Sequence, residues 1–194
     1  MTTEPKLSQR LKRVPTTFHT GTWYRQVASS IALVASYQPL ATSHTLTQPG
    51  RYHPEGIEAL YLANSQDTAA RETRSVLPIP SGVIPVPEQP MLTLSIQVAV
   101  QKMLVLDGSG VVFSLLQTSY QELTGLWDYE GQPSPTQALG QSAHDLGIEA
   151  IKVPSSVAFG QFNLIVFPTC LLKGSYIETI DHSGRFHQRI EGKK

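Results

Sequence analysis

Regular alternation of apolar and polar positions first appears at Thr22–Ala28 (TWYRQVA), which predicts a strand with Trp23, Arg25 and Val27 on one face. An arginine thus stands where the pattern asks for an apolar residue. Ala59–Ala63 (ALYLA) is a second short apolar strand, ending at Asn64-Ser65. Ser65 is a suitable N-cap for a helix predicted to run to about Val76, and Asp67 complements that helix's dipole. Ala69, Glu72, Thr73 and Val76 fall at i, i+3, i+4 and i+7, so Glu72 shares the stripe that should face the core. Further on, Leu92–Val98, Met103–Leu106 and Val111–Leu116 read as strands, with Asp107-Gly108 and Ser109-Gly110 as hairpin-turn material. Ser119–Leu123 reads as a short helical turn. Ser134 caps a helix with Pro135 in its first turn, which carries Leu139, Ala143 and Leu146 and stops at Gly147. The strand Ala150–Val153 and the uninterrupted apolar run Leu164–Phe167 flank the turn Pro154-Ser155-Ser156. Tyr176–Ile180 and Arg185–Ile190 predict a terminal hairpin about Asp181-His182-Ser183-Gly184.

The stretches between these elements are as informative. Residues 1–20 are polar and broken by Pro15, which predicts a loose N-terminal extension. Residues 37–58 are rich in Pro, Gly, Thr and His and read as one long irregular segment, a length that in a small domain usually serves function. Residues 78–90 hold five prolines and predict a surface connection of polyproline character. No internal repeat is present. The expected fold class is therefore a strand-rich, mixed α/β (α+β) single domain spanning residues 21–194.

Composition narrows the function classes. The chain has 194 residues, 40% of them hydrophobic and only 15% charged, enough to bury one core beneath a lightly charged surface. Its formal net charge of +0 removes any electrostatic reason to propose nucleic acid as the main ligand. Cys170 stands alone, so neither an internal disulfide nor a cysteine-based zinc cluster is expected, and a small buried hydrophobe is the natural reading of it. The first apolar stretch, Ile31–Ala35, is too short for a leader or a membrane span, and a cytoplasmic protein is expected.

Several standard constellations are missing from the sequence. There is no phosphate-binding Walker loop and no Gly-x-Gly-x-x-Gly after a strand, and the six histidines are too scattered to suggest a metal site. Polar residues at positions that should be buried remain: Arg25, Glu72 and the Ser155 turn. Such residues are costly unless paired or functional. Two readings stay open at this point. One is a buried Arg25–Glu72 ion pair. The other is a concave site that holds a polyanion through arginine and applies a carboxylate to an electron-deficient carbon.

The order and spacing of these residues resemble a known family. Tyr24-Arg25 resembles its opening arginine element. Gly50-Arg51-Tyr52-His53-Pro54-Glu55-Gly56, followed by Ala59-Leu60-Tyr61-Leu62-Ala63, is similar to its block in which Gly-Arg-aromatic-Asn-x-x-Gly leads into a strand with a tyrosine. Ser65-x-x-x-Ala69-x-x-Glu72 resembles the helix that delivers its glutamate. Thr136–Gly140, Val153-Pro154-Ser155-Ser156 and Asn163–Phe167 resemble its closing block. Together they are similar to the RES domain, the toxin of RES–Xre toxin–antitoxin pairs, from about residue 21 to 168. Two departures stand out: Arg51-Tyr52-His53 where Arg-Trp-Asn is common, and Pro154-Ser155-Ser156-Val157 where the turn usually carries an arginine.

The resemblance implies an ADP-ribosyltransferase-like fold and an enzyme that takes NAD⁺ as substrate and cuts its nicotinamide–ribose bond, with no further cofactor. It implies Glu72, Arg25 and Ser155 as catalytic residues. Glu72 would stabilise an oxocarbenium-like ribose, and Arg25 and Arg51 would hold the pyrophosphate. Tyr61 would offer a ring to nicotinamide or ribose, and Ser155 a hydrogen bond to Glu72 or the ribose. The acceptor is open: water or phosphate in NAD⁺ depletion, or a protein in ADP-ribosylation. A non-catalytic binding module is the reading from another class. The implied partner is a helix-turn-helix antitoxin of the Xre type, with the toxin a homodimer in the assembly and no direct contact with nucleic acid or membrane.

Overall fold

The computed structural model of the chain describes residues 6–73, 76–79, 82–85, 89–108, 110–125 and 133–193. Its strands are β1 (Thr17–Ala28), β2 (Leu60–Ala63), β3 (Val76–Ile79), β4 (Gly82–Pro85), β5 (Met91–Val105), β6 (Ala150–Pro154), β7 (Phe162–Val166), β8 (Tyr176–Thr179) and β9 (Arg189–Glu191). Its helices are α1 (Leu7–Leu11), α2 (Ser29–Ala32), α3 (Gln66–Thr73), α4 (Gly110–Leu116), α5 (Tyr120–Thr124) and α6 (Pro135–Asp145). The architecture is the mixed α/β, strand-rich one expected.

The main sheet runs β1-β2-β7-β6-β5-β8-β9, and β1 also pairs with β5, so five of its strands close into a ring. The two seams that β1 makes are very unequal. Against β5 it forms a long antiparallel ladder, from Thr17↔Met103 to Ala28↔Met91. Against β2 it has the single pair Tyr24↔Ala63. The ring is zipped on one side and pinned at one point on the other, and beside that pin the strands part.

Two apolar clusters occupy opposite faces of β2, β6 and β7. Leu164 and Val166 pack with Trp23, Leu60, Leu62, Ile96 and Val98. Ile165 and Phe167 pack with Ile151, Val153 and Leu104, under Phe113 of α4 and Leu139 of α6. A strand buried on both faces has no polar side, which is why Leu164–Phe167 is apolar without interruption. The α6 N-terminus is a complete capping box: Ser134 Oγ accepts from the Gln137 amide, and Gln137 Oε1 accepts from the Ser134 amide. Where α6 crosses the 50s loop the contact is tight. A Cβ at Gly140 would lie 1.7 Å from the Tyr52 carbonyl oxygen, so only glycine fits there.

Several expectations give way. The N-terminal extension is not loose throughout: α1 packs through Leu11, and β1 begins at Thr17 because residues 17–21 extend the ladder with β5. The helix predicted to reach Val76 ends at Thr73, and Val76 starts β3. Part of the proline-rich segment forms the two-stranded β3–β4 pair, which lies outside the main sheet, where proline's missing donor is tolerated; residues 80–81 and 86–88 lie outside the described residues. The runs expected at Leu92–Val98 and Met103–Leu106 fall in one strand, Met91–Val105, with Leu106 just past its end. Val111–Leu116 is a helix, with Phe113 and Leu116 buried one turn apart and Val111 exposed. Asp107-Gly108 therefore connects strand to helix and is no hairpin turn. Short apolar runs are ambiguous by period alone, and here the tertiary surface beneath the run decides.

One buried charge fastens the ring. Glu149, fully buried just before β6, accepts from the Gln101 and Lys102 amides through Oε2, each at 2.7 Å, and from the Leu172 amide through Oε1 at 2.9 Å. A carboxylate meeting three backbone donors answers its desolvation in full. Glu149→Gln turns an amide donor onto at least one of those donors whichever way it faces, and onto two in one orientation. It should lower unfolding free energy by about 3 kcal/mol in urea titration, and a change below about 1 kcal/mol would rule out this role.

Candidate functional site

A cavity of about 300 Å³ opens beside the β1–β2 pin, lined by Tyr24, Arg25, Tyr61, Ala69, Glu72, Thr73 and Asn163 among others. Four elements build it. Tyr24 and Arg25 come from β1, Tyr61 from β2, Asn163 from β7, and Ala69, Glu72 and Thr73 from the stripe of α3 that the 3.6-residue period marks. That stripe faces the cavity, where a core is expected. Glu72 is consequently exposed at the end of the helix rather than buried. The helix is started by Ser65, whose Oγ accepts from the Thr68 amide, and its last residue, Thr73, donates from Oγ1 to Gln26 Oε1 on β1.

Glu72 is held through one oxygen. Its Oε1 accepts from Ser155 Oγ at 2.7 Å and from Asn163 Nδ2 at 2.6 Å. Ser155 is buried, and its Oγ itself accepts from the Val157 amide at 3.2 Å, which turns its proton toward Glu72. Oε2 of Glu72 has no hydrogen-bond partner among the described residues, and neither does the buried Oδ1 of Asn163. A carboxylate fixed on one side and bare on the other suits work on an electron-deficient centre.

Arg25 donates from Nη1 to the Pro39 carbonyl at 2.8 Å. Burial lowers its pKa from the ordinary arginine value, opposed by the neighbouring Tyr37 hydroxyl. Neither Arg25 nor Glu72 enters an ion pair among the described residues, so the alternative of a buried Arg25–Glu72 pair is not what the structure contains. A desolvated guanidinium with no carboxylate partner among the described residues is chemically suited to meet an anion.

Tyr61 is fixed through its hydroxyl. The oxygen accepts from the Tyr52 amide at 3.0 Å, and the group meets His53 Nδ1 at 2.8 Å. Burial raises the pKa of both Tyr52 and Tyr61, against the nearby charge of Arg51. Arg51 does not line the cavity. Its Nη1 bonds the Gly125 carbonyl at 2.6 Å and the Leu123 carbonyl at 3.4 Å, and Tyr52 Oη donates to the same Leu123 carbonyl. The two arginines expected together at one anion are thus placed differently, one in the cavity wall and the other against backbone carbonyls. Asn163 belongs to the site although the sequence alone assigns it no role. A polar residue opening an apolar run, at a strand's end beside a cleft, is the available signal.

A larger groove of about 650 Å³ lies elsewhere, bordered by residues 38–43 and 188–193, and contains none of these side chains. Chemistry, not size, singles out the smaller cavity. Among the described residues no group of three or more His, Cys, Asp or Glu could hold a metal ion, and no helix is long and apolar enough to cross a membrane.

The pattern of the RES domain family matches residues 22–189. Among solved structures, the fold is similar to a chain of the M. tuberculosis MbcT–MbcA toxin–antitoxin complex, with TM-score 0.60 and 21% identity over 82% of this chain and 80% of that one. No curated protein matches.

If Arg25 is kept for a ligand and not for the fold, removing its charge should not weaken the protein. Arg25→Met loses one bond to Pro39 but relieves a desolvated cation. Its thermal midpoint should equal or exceed the parent's, by up to about 2 kcal/mol in stability. A loss of that size would make Arg25 a structural residue.

Proposed function

The chain belongs to the RES domain family, and on that premise we propose that it is the toxin of a toxin–antitoxin pair, an enzyme that consumes NAD⁺ by cutting the nicotinamide–ribose bond. The observation that carries the reading is the one-sided grip on Glu72 in a cavity whose wall also holds Arg25.

The chemistry follows from those groups. Nicotinamide departs from a pyridinium as a neutral molecule, so the site has no need of a general acid. What departure leaves is an oxocarbenium-like ribose. Glu72, with Oε1 engaged by Ser155 and Asn163, turns Oε2 to that developing charge or to a ribose hydroxyl. Ser155 and Asn163 act through Glu72, as positioning residues. Arg25 meets the pyrophosphate with paired N–H donors, and its desolvation strengthens that attraction. Tyr61 supplies a flat wall for the ring or the sugar. Arg51 acts at one remove, through its charge beside Tyr61 and the carbonyls it ties. Water or phosphate then takes up the ADP-ribose unit. Transfer to a protein is the alternative fate of the same intermediate.

The neighbour in fold belongs to a toxin–antitoxin complex, and a partner of that kind is proposed here too, an Xre-type antitoxin acting in the cytoplasm and contacting a homodimeric toxin. The loop after Ser155 supports it: Phe159 is 94% exposed and Val157 43% exposed, two apolar side chains within four residues of the site.

Incubated with NAD⁺, the purified chain should release free nicotinamide, and Glu72→Gln should slow release at least about 100-fold while leaving the fold intact by circular dichroism. Absence of nicotinamide from the parent enzyme, or full activity in the variant, would defeat the proposal. Label carried on the adenylate of NAD⁺ should remain in small molecules; label fixed on protein would mark transfer instead.

A further inference from the structure

His53 is 2% exposed and belongs to no part of the chemistry described above. Its two ring nitrogens have different partners. Nε2 lies 3.1 Å from the Gln48 carbonyl oxygen, which can only accept, so Nε2 carries the hydrogen. In the neutral ring Nδ1 is then a bare acceptor, 2.8 Å from Tyr61 Oη. Tyr61 must donate to it, since the Tyr61 oxygen already accepts from the Tyr52 amide. Each polar atom of this chain points one way. The packing leaves no slack: a Cβ on Gly50 would fall 2.5 Å from His53 Cε1 and 2.9 Å from Tyr61 Oη, and Gly50 is itself bridged to His53 and tied by Gln137.

We propose that His53 is the positioning residue that aims Tyr61 at the cavity, and that it does so only while its imidazole is neutral, so that acid disarms the site. The inference rests on the reading of Tyr61 as a wall of the NAD⁺ cavity. A proton on Nδ1 sets donor against donor across 2.8 Å. Tyr61 then has to turn its hydrogen away or shift its ring, and a ring displaced from its place no longer orients a substrate. The groups facing His53 bear on its protonation in both directions. Burial opposes the charged form most, the His44 imidazole also opposes it, and the Gln48 and Thr45 backbone favours it, with a pKa below 6.5 as the outcome. On the tyrosine side, Arg51 acts on both Tyr61 and Tyr52, and Glu72 acts on Tyr52. The sign follows: a proton binds the unfolded chain more readily, so the His53 contribution to stability is complete above about pH 6.5 and is lost as pH falls through the folded value.

The test compares the parent with His53→Asn, His53→Leu and Tyr61→Phe, following nicotinamide release between about pH 5 and 8. The parent should lose kcat on the acid side, with KM changing less. Asparagine offers Tyr61 an acceptor oxygen that does not titrate, so His53→Asn should keep most of the neutral activity and lose the acid limb. His53→Leu should drop kcat by about 10-fold or more at every pH, and Tyr61→Phe should also lack the acid limb. A normal acid limb in either His53 variant would overturn the proposal. Nitrogen NMR of the imidazole reads the ring directly, independently of catalysis. The expected state is a neutral ring protonated at Nε2 and titrating below 6.5; the opposite tautomer, or titration at the ordinary value, would reject it. Should the parent release no nicotinamide at all, the enzymatic reading falls while the spectrum still decides the role of His53.

Discussion

Ser155 Oγ and Asn163 Nδ2 reach the same oxygen of Glu72 only if β6, β7 and β2 are held in one register, and most of the molecule serves that condition. Asn163 stands opposite both Val153 of β6 and Ala63 of β2, and Ser155 follows Pro154, which pairs with Phe162. A slip of one residue would turn Asn163 to the other face and carry its amide away from Glu72. Register is secured by the two apolar clusters, because Leu164 and Ile165 have different pockets to fill on opposite faces. It is secured again at the far end of β6, where the buried Glu149 binds amides from β5 and from the segment before β8. The polar contact at the site thus depends on packing that begins with unbroken apolar runs.

Electrostatics gives the same arrangement a second meaning. Were Glu72 and Arg25 to pair, each would cancel the other and neither would have anything to offer a ligand. Holding Glu72 with neutral donors and Arg25 with one carbonyl keeps both charges available across one cavity. Burial without a counter-charge is unfavourable for a guanidinium, and Arg25 sits within the long β1–β5 ladder, opposite Leu94. A chain whose formal net charge is +0 still presents, at one spot, a strongly directional field. Net charge informs on solubility and on steering by a whole surface, and is silent on such local order.

Much of this is legible in the sequence, for reasons that particular residues make plain. Strands β1, β2, β6 and β7 announce themselves through alternation or unbroken apolar runs, and the α6 cap through Ser134, Pro135 and Gln137. Arg25 and Glu72 are visible as charges on stripes that should be apolar. The exposure of Glu72 is not visible, because a stripe facing a cleft and a stripe facing a core share one period. Val111–Leu116 reads as a strand but folds as a helix, since six residues fit either period and the surface beneath them settles it. Arg51 falls in with Arg25 only through the resemblance, whose Gly-Arg-aromatic block implies a pyrophosphate contact for it. Its carbonyl partners, Leu123 and Gly125, lie more than seventy positions away. His53 shows only as a departure from a resembled pattern, and its role depends on two hydrogen-bond directions that no spacing encodes.

The single β1–β2 pair makes the width of the cleft a side-chain property. Elsewhere in the ring, neighbouring strands are spaced by ladders of backbone bonds and cannot part without breaking several together. At this seam the backbone ladder contributes only Tyr24↔Ala63, and the side-chain tie beside it is Thr73 Oγ1 of α3 to Gln26 Oε1 of β1. Gln26 and Thr73 belong to neither apolar cluster, so substitutions there act on the cleft and not on the core. A fold of this kind separates the residues that determine stability from those that determine what fits, and so admits change at the site without loss of the ring.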